Sequence, residues 1–140
     1  MSLLERPDVQ VHSDAETASR AAAERAALAL RDAVEQRGVA TIALSGGSTP
    51  EVMYRAFTDA ALAIPWERVH LLWGDERCVP PAHPRSNFGM AWRAFISRIP
   101  IPAENIHRMR GELPPDQGAE EYRTTLREIF SEEPPTFDFV

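Results

Sequence analysis

The sequence contains no lysine, because all fifteen of its basic residues are arginine. Without lysine there is no amine for a Schiff base and no phosphate contact of the P-loop kind. The formal net charge is −6, and no run of basic residues occurs. This balance argues against nucleic acid or an anionic membrane as the main partner. Arginine still allows local binding of an anionic small molecule.

Cysteine and long apolar runs are scarce as well. The single cysteine, Cys78, permits no internal disulfide and fits a reducing compartment. Charged residues interrupt the first eight positions, where a signal peptide would have its apolar core, and no eighteen apolar residues run together. With 140 residues, of which 44% are hydrophobic, the chain predicts one globular domain, and we expect it in the cytoplasm.

A strand, a turn and a helix are predicted around the glycine-rich loop, residues 45–49. Residues 39–44 can be buried on both faces, and Pro50 follows the loop where a helix can begin. Such a turn lies at the amino end of a helix, where backbone N–H groups and the helix dipole bind anions. A tight turn without a ligand is the alternative. Either Ser48 or Thr49 could cap the helix.

Hydrophobic periodicity predicts alternating strands and helices along the rest of the chain. Strands are expected at residues 9–12, 39–44, 69–73, 105–109 and 137–140. Helices are expected from the capping-box residues 13–16 to an end near Arg37-Gly38, at residues 50–61, from 87 onward and at 116–131. Ala22, Ala26, Leu30 and Val34 should form the buried stripe of the first helix, and Trp92 and Phe95 should be core residues of the third. This order predicts an α/β fold with a mostly parallel, Rossmann-like sheet flanked by helices.

The acidic loop, residues 74–77, follows the second buried strand and should open on the same edge of the sheet as the glycine-rich loop. Asp75 and Glu76 offer carboxylates for sugar hydroxyls, and Arg77 could hold a phosphate against the amides of the glycine-rich loop. The alternative is a solvated loop with a local ion pair. Residues 137–140 resemble the start of another strand, so we expect an incomplete, N-terminal portion of a single domain.

The spacing of the histidine, cysteine and serine residues does not indicate a metal site or a serine nucleophile. His70, Cys78 and His83 do not match any standard zinc pattern, so we expect no metal and treat His12 and His107 as structural. Ser45 and Ser48 lack a Gly-x-Ser-x-Gly context, which argues against covalent serine catalysis.

Three ordered motifs carry a family resemblance: Leu-Ser-Gly-Gly-Ser-Thr-Pro at 44–50, Trp-Gly-Asp-Glu-Arg-Cys-Val-Pro at 73–80 and Ser-Asn-Phe-Gly-Met-Ala at 86–91. The sequence resembles the 6-phosphogluconolactonases. The resemblance implies a fold shared with glucosamine-6-phosphate deaminases and ribose-5-phosphate isomerases. It also implies hydrolysis of 6-phosphoglucono-1,5-lactone in the oxidative pentose phosphate pathway, without metal or cofactor. The implied substrate-binding residues are Ser45, Gly46, Gly47, Ser48, Thr49, Asp75, Glu76, Arg77 and Asn87.

The resemblance also shows a departure. Related deaminases usually have Thr-Gly-Ser and Asp-Glu-Tyr where this sequence has Ser-Gly-Gly and Asp-Glu-Arg, which favours the lactonase. Lactonases, however, continue into an Asp-Gly-His segment whose histidine is the proposed general base, and this sequence contains no such segment. The catalytic residue is therefore unassigned. A sugar-phosphate deaminase or isomerase, or a non-catalytic sugar-phosphate-binding module, remain the alternatives.

Overall fold

The computed structural model describes residues 7–140, so the prediction about a signal peptide in the first residues lies partly outside the described part of the chain. The helices and strands of this range are α1 (Ala15–Arg37), β1 (Ala40–Leu44), α2 (Ser48–Ala56), β2 (Val69–Trp73), α3 (Asn87–Ala94) and α4 (Pro115–Ile129). Short 3₁₀ helices connect several of them. Within the described range, no helix has the length and apolar character that a membrane crossing requires.

Helix α1 begins at a side-chain cap, where the Asp14 carboxylate accepts a hydrogen bond from the Thr17 amide at 2.8 Å. It ends at Gly38, whose φ of 79° is readily adopted by glycine, as the sequence predicts. The predicted buried stripe is partly wrong, since Ala22 and Val34 are only half-buried. The buried side chains are Ser19, Ala23, Ala26, Ala27, Leu30 and Ala33. Except for Leu30 these residues are small, which lets the helix approach the sheet closely.

The sheet is parallel, and β1 and β2 form its centre with Ala40 opposite Val69 and Leu44 opposite Trp73. Two isolated parallel bridges extend it, one from Ile42 to Phe139 and one from Leu71 to Ile106. The predicted strands at 105–109 and 137–140 therefore each appear as a single bridge. The expected parallel sheet flanked by helices is confirmed.

The predicted strand at residues 9–12 is wrong. Val9 and Val11 are 75% and 90% exposed. Pairing of this segment with the sheet is therefore not stabilised by burial of its apolar side chains. The prediction that Trp92 belongs to the core is also wrong, because this side chain is 45% exposed and packs beside Phe88 at the surface.

Helix α2 is shorter than predicted and ends at Ala56 instead of residue 61. The Asp59 carboxylate accepts a hydrogen bond from the Ala61 amide at 2.9 Å and caps a new 3₁₀ helix, Ala60–Leu62, which replaces the last predicted turn.

An aromatic cluster holds α2 and α3 together. Tyr54, Phe57, Trp66 and Phe95 pack with ring centroids 5.3–5.9 Å apart, and all four are buried. Burial of each such side chain stabilises the fold by roughly 1.5–3 kcal/mol. The cluster packs the carboxyl-terminal ends of the two helices against each other.

Candidate functional site

The two predicted loops lie side by side at the carboxyl edge of the sheet. The glycine-rich loop follows β1, the acidic loop follows β2, and the Gly74 amide donates a hydrogen bond to the Leu44 carbonyl at 2.9 Å. This edge is where open α/β sheets bind their ligands.

The glycine-rich loop leads directly into helix α2. Gly47 occupies the N-cap position with a φ of 104°, a backbone conformation that side chains with a Cβ rarely adopt. The prediction that Ser48 or Thr49 caps the helix is wrong, because the helix already begins at Ser48 and no side chain caps it. Both hydroxyls are exposed, and within residues 7–140 no side chain caps the first amides of α2. Such a terminus suits an anion.

An open cleft of about 560 Å³ separates the glycine-rich loop from the start of α1. Its lining residues are Ala15, Ala18, Ser19, Ser45, Gly46, Thr49, Pro50 and Met53. The alanine side chains of α1 leave this space, and its size falls within the range of small-molecule sites.

Asn87 joins the two loops. Its side chain is buried, and its amide nitrogen donates to the Asp75 carbonyl at 3.1 Å and to the Asp75 carboxylate at 3.0 Å. A Cβ on Gly46 would lie only 2.0 Å from the Asn87 side-chain oxygen. Glycine at position 46 therefore lets the glycine-rich loop lie directly against Asn87.

Glu76 organises the junction between the acidic loop and α3. One carboxylate oxygen accepts from the amides of Arg77 and Asn87, both at 2.7 Å. The other accepts from the Phe88 amide at 2.9 Å and the Ser86 hydroxyl at 3.0 Å. These bonds satisfy amides at the amino end of α3 and fix the backbone on both sides of the loop. The predicted contact of Glu76 with substrate stays a prediction.

Arg77 combines a fixed backbone with an exposed side chain. Its amide donates to Glu76, and its carbonyl lies so close to Gly111 that a Cβ there would approach it to 2.1 Å. Within residues 7–140 its guanidinium makes no ion pair. Asp75 is likewise exposed. Both side chains are therefore accessible to a ligand.

Two tyrosine hydroxyls stabilise the strand ends, which the motif patterns alone do not indicate. The Tyr54 hydroxyl accepts from the Ser45 amide at 2.6 Å and donates to its carbonyl at 3.2 Å. The Tyr122 hydroxyl makes the same pair of bonds to Trp73, at 2.8 and 3.3 Å. Burial raises the pKa of Tyr54 and raises that of Tyr122 to about 12, so both hydroxyls stay protonated near neutral pH.

A charged pair supports the segment behind the acidic loop. Arg108 forms two hydrogen bonds with the Glu112 carboxylate, at 2.7 and 3.0 Å, and its guanidinium carbon lies 5.8 Å from the centre of the Phe88 ring. The hydrogen bond from Arg108 is the main reason that the pKa of Glu112 falls to about 2.

The histidines do not join the loops in a common cluster. The His70 Nδ1 and His107 Nε2 atoms are hydrogen-bonded at 2.8 Å with nearly parallel rings, and burial lowers the pKa of both. The His83 ring accepts from the Arg85 amide at 3.1 Å. Among residues 7–140, no three or more histidine, cysteine or carboxylate side chains are grouped as a metal site requires.

Comparison with known proteins identifies the family of this chain. The family model described as glucosamine-6-phosphate isomerases/6-phosphogluconolactonase matches residues 13–140. The chain belongs to this family. The match includes both loops and all the helices described above, so the parallel α/β arrangement is that of the isomerase/lactonase family.

Relatives and solved structures agree with this assignment. A 6-phosphogluconolactonase from Nostoc sp. is 46% identical over 109 residues, which cover 77% of this chain and 45% of the relative. One from Synechocystis sp. is 44% identical over 77% of this chain and 46% of the relative. The crystal structure of the Thermotoga maritima 6-phosphogluconolactonase matches with a TM-score of 0.75 and 28% identity, covering 81% of this chain and 51% of that one. The chain thus spans about half the length of these relatives.

Proposed function

We propose that the protein binds a phosphorylated sugar lactone at the edge of the sheet that the two loops border, and hydrolyses 6-phosphoglucono-1,5-lactone to 6-phosphogluconate. The observation that carries this proposal is the Asn87 side chain, which lies against Gly46 and donates to Asp75, so that both loops border one site. The named lactonase relatives support the choice of substrate.

The loops offer complementary chemistry for such a ligand. The uncapped amino end of α2 and the Arg77 guanidinium provide positive potential and N–H donors for a phosphate. Asp75 can accept hydrogen bonds from sugar hydroxyls, and the exposed hydroxyls of Ser48 and Thr49 can both donate and accept.

In the proposed reaction, a general base removes a proton from water, and the water oxygen attacks the lactone carbonyl carbon. Donors near that carbonyl stabilise the oxyanion of the tetrahedral intermediate. Its collapse breaks the bond to the ring oxygen, which takes a proton, and leaves the carboxylate of 6-phosphogluconate. The base expected from the family resemblance is the histidine of an Asp-Gly-His segment, which residues 1–140 do not contain.

We also propose that residues 1–140 belong to a single α/β lactonase domain and supply its substrate-binding part, and that the protein acts in the cytoplasm. Purified residues 1–140 should bind 6-phosphogluconate, but the lactone should be hydrolysed in their presence at little more than its spontaneous rate. Robust turnover by residues 1–140 would contradict this division of roles.

The test of the activity is lactone hydrolysis by the protein expressed from its whole reading frame, measured against spontaneous hydrolysis. We expect hydrolysis well above that background and no ammonia release from glucosamine 6-phosphate. Ammonia release without lactone hydrolysis would instead identify a deaminase. Binding of 6-phosphogluconate without either reaction would identify a non-catalytic module.

A further inference from the structure

We propose that Tyr122 is a positioning residue, which holds the end of β2 and so places the acidic loop for ligand binding. Its effect on substrate rests on the function proposed above, whereas its effect on the loop does not. The residue lies in α4, 49 residues away from Trp73 and outside the three motifs that carry the family resemblance.

The Tyr122 hydroxyl makes the hydrogen bonds that a neighbouring strand would otherwise make to the end of β2. On this side of β2 the Leu71 carbonyl accepts from the His107 amide at 2.9 Å, as in a regular parallel ladder. The ladder does not continue, because residues 108–110 form no further bridge to β2 and the chain then turns at residues 111–112. The Tyr122 hydroxyl then bonds both the amide and the carbonyl of Trp73. Trp73 is the last residue of β2, so its position sets where the acidic loop begins.

A second contact connects the same segment to the loop. Gly111 lies between the ladder and α4, and its Cα faces the backbone of Arg77 and Val79 so closely that a Cβ would come within 2.1 Å of one carbonyl and 2.7 Å of the other. The acidic loop is therefore held at its start by Tyr122 and at its end by Gly111.

Burial keeps this contact well defined. The Tyr122 side chain is 8% exposed, and both of its hydrogen bonds are shielded from water. Donation to the Trp73 carbonyl requires a protonated hydroxyl, which the raised pKa of Tyr122 ensures. The sequence contains two tyrosines, and the other one, Tyr54, makes the equivalent contact at the end of β1.

The test is the substitution Tyr122→Phe, which removes the hydroxyl and keeps the ring. In the ligand-free protein, the backbone amide signals of residues 73–77 should shift in nuclear magnetic resonance spectra. The dissociation constant for 6-phosphogluconate should rise about five- to tenfold. Leu126→Ala, one turn further along α4, is the matched control. It should lower the melting temperature while changing the dissociation constant less than about twofold.

A double-mutant cycle with Arg77→Ala separates positioning from general loss of stability. If Tyr122 acts by placing Arg77, adding Tyr122→Phe to the Arg77→Ala variant should weaken binding little further. Fully additive losses, or unshifted amide signals at residues 73–77, would overturn the proposal. If the wild-type protein does not bind 6-phosphogluconate, the proposed function fails, and the ligand-free amide shifts alone decide whether Tyr122 positions the loop.

Discussion

The two loops at the carboxyl edge of the sheet are held in different ways. The glycine-rich loop is fixed at its first residue by Tyr54 and otherwise passes beneath Asn87, with an uncapped helix terminus after it. The acidic loop is held by the carboxylate of Glu76, by Tyr122 before it and by Gly111 after it. The first loop thus offers mainly backbone groups to a ligand, and the second offers the exposed side chains of Asp75 and Arg77 on a fixed backbone.

The largest effect is expected where the two loops touch. In the variant Gly46→Ala, the new Cβ would lie 2.0 Å from the Asn87 side-chain oxygen, so the buried asparagine must leave Asp75. We expect the affinity for 6-phosphogluconate to fall roughly 30- to 100-fold, a loss of about 2–2.7 kcal/mol. Isothermal titration calorimetry measures this loss.

Gly38→Ala provides the control for that variant. Gly38 has a φ of 79° at the far end of α1, and no atom of the described residues is found within 4 Å of its added Cβ. The substitution should cost about 1 kcal/mol of stability through backbone strain and leave binding unchanged. Equal losses of affinity in the two glycine variants would mean that contact between the loops is irrelevant to the site.

The next effect concerns the exposed guanidinium of the acidic loop. Arg77→Ala should raise KM about tenfold or more and change kcat less, because holding a phosphate stabilises ground state and transition state alike. Steady-state kinetics of lactone hydrolysis provide the measurement, with Arg85→Ala, exposed and further along the chain, as the matched control. An unchanged KM would count against a phosphate contact.

A smaller effect, a loss of folding stability, is expected when the hydrogen bonds that hold the backbone of the acidic loop are removed. Glu76→Gln replaces a carboxylate oxygen by an amide group that cannot accept two of its four hydrogen bonds. We expect about 1–2 kcal/mol lower stability in urea unfolding. The control Glu51→Gln, in a surface pair with Arg55, should lose under about 0.5 kcal/mol. Similar losses for both variants would contradict the special role of Glu76.

The smallest effect is a change in pH dependence. The folded-state pKa of Glu112 lies at about 2, below its ordinary value of 4.5, so the Arg108 pair stabilises the fold above pH 4.5 and loses this contribution as the pH falls toward 2. Because water screens this surface pair, we expect Glu112→Gln to cost about 1 kcal/mol at pH 6 and less at pH 3. Urea unfolding at both pH values checks this. A cost that grows toward pH 3 would contradict the assignment.

The sequence predicts the strands β1 and β2 and their shared edge well, because their apolar runs have no other stable location than a buried parallel sheet. It predicts helix ends less well. Gly47 occupies the N-cap position of α2 with a positive φ, so neither Ser48 nor Thr49 is the capping residue. The valines at 9 and 11 alternate like a strand but are exposed, since local pattern does not reveal which segments reach the sheet.

The predicted site residues are brought together, but their supports come from distant parts of the chain. Asn87 reaches back to Asp75, and Tyr122 reaches back 49 residues to Trp73. A tyrosine at helical spacing predicts a buried ring and does not indicate the partner of its hydroxyl. Only the tertiary packing of α4 brings that hydroxyl to the end of β2.

The central claim is that one sugar phosphate contacts both loops at once. A titration of the ¹⁵N-labelled protein with 6-phosphogluconate, followed through backbone amide signals, tests it most directly. We predict saturable shifts with one dissociation constant for residues 45–49 and 75–77, and unchanged signals near Asp138, which bonds Thr41 at the opposite end of β1. Saturable binding that leaves either loop unshifted would contradict the account.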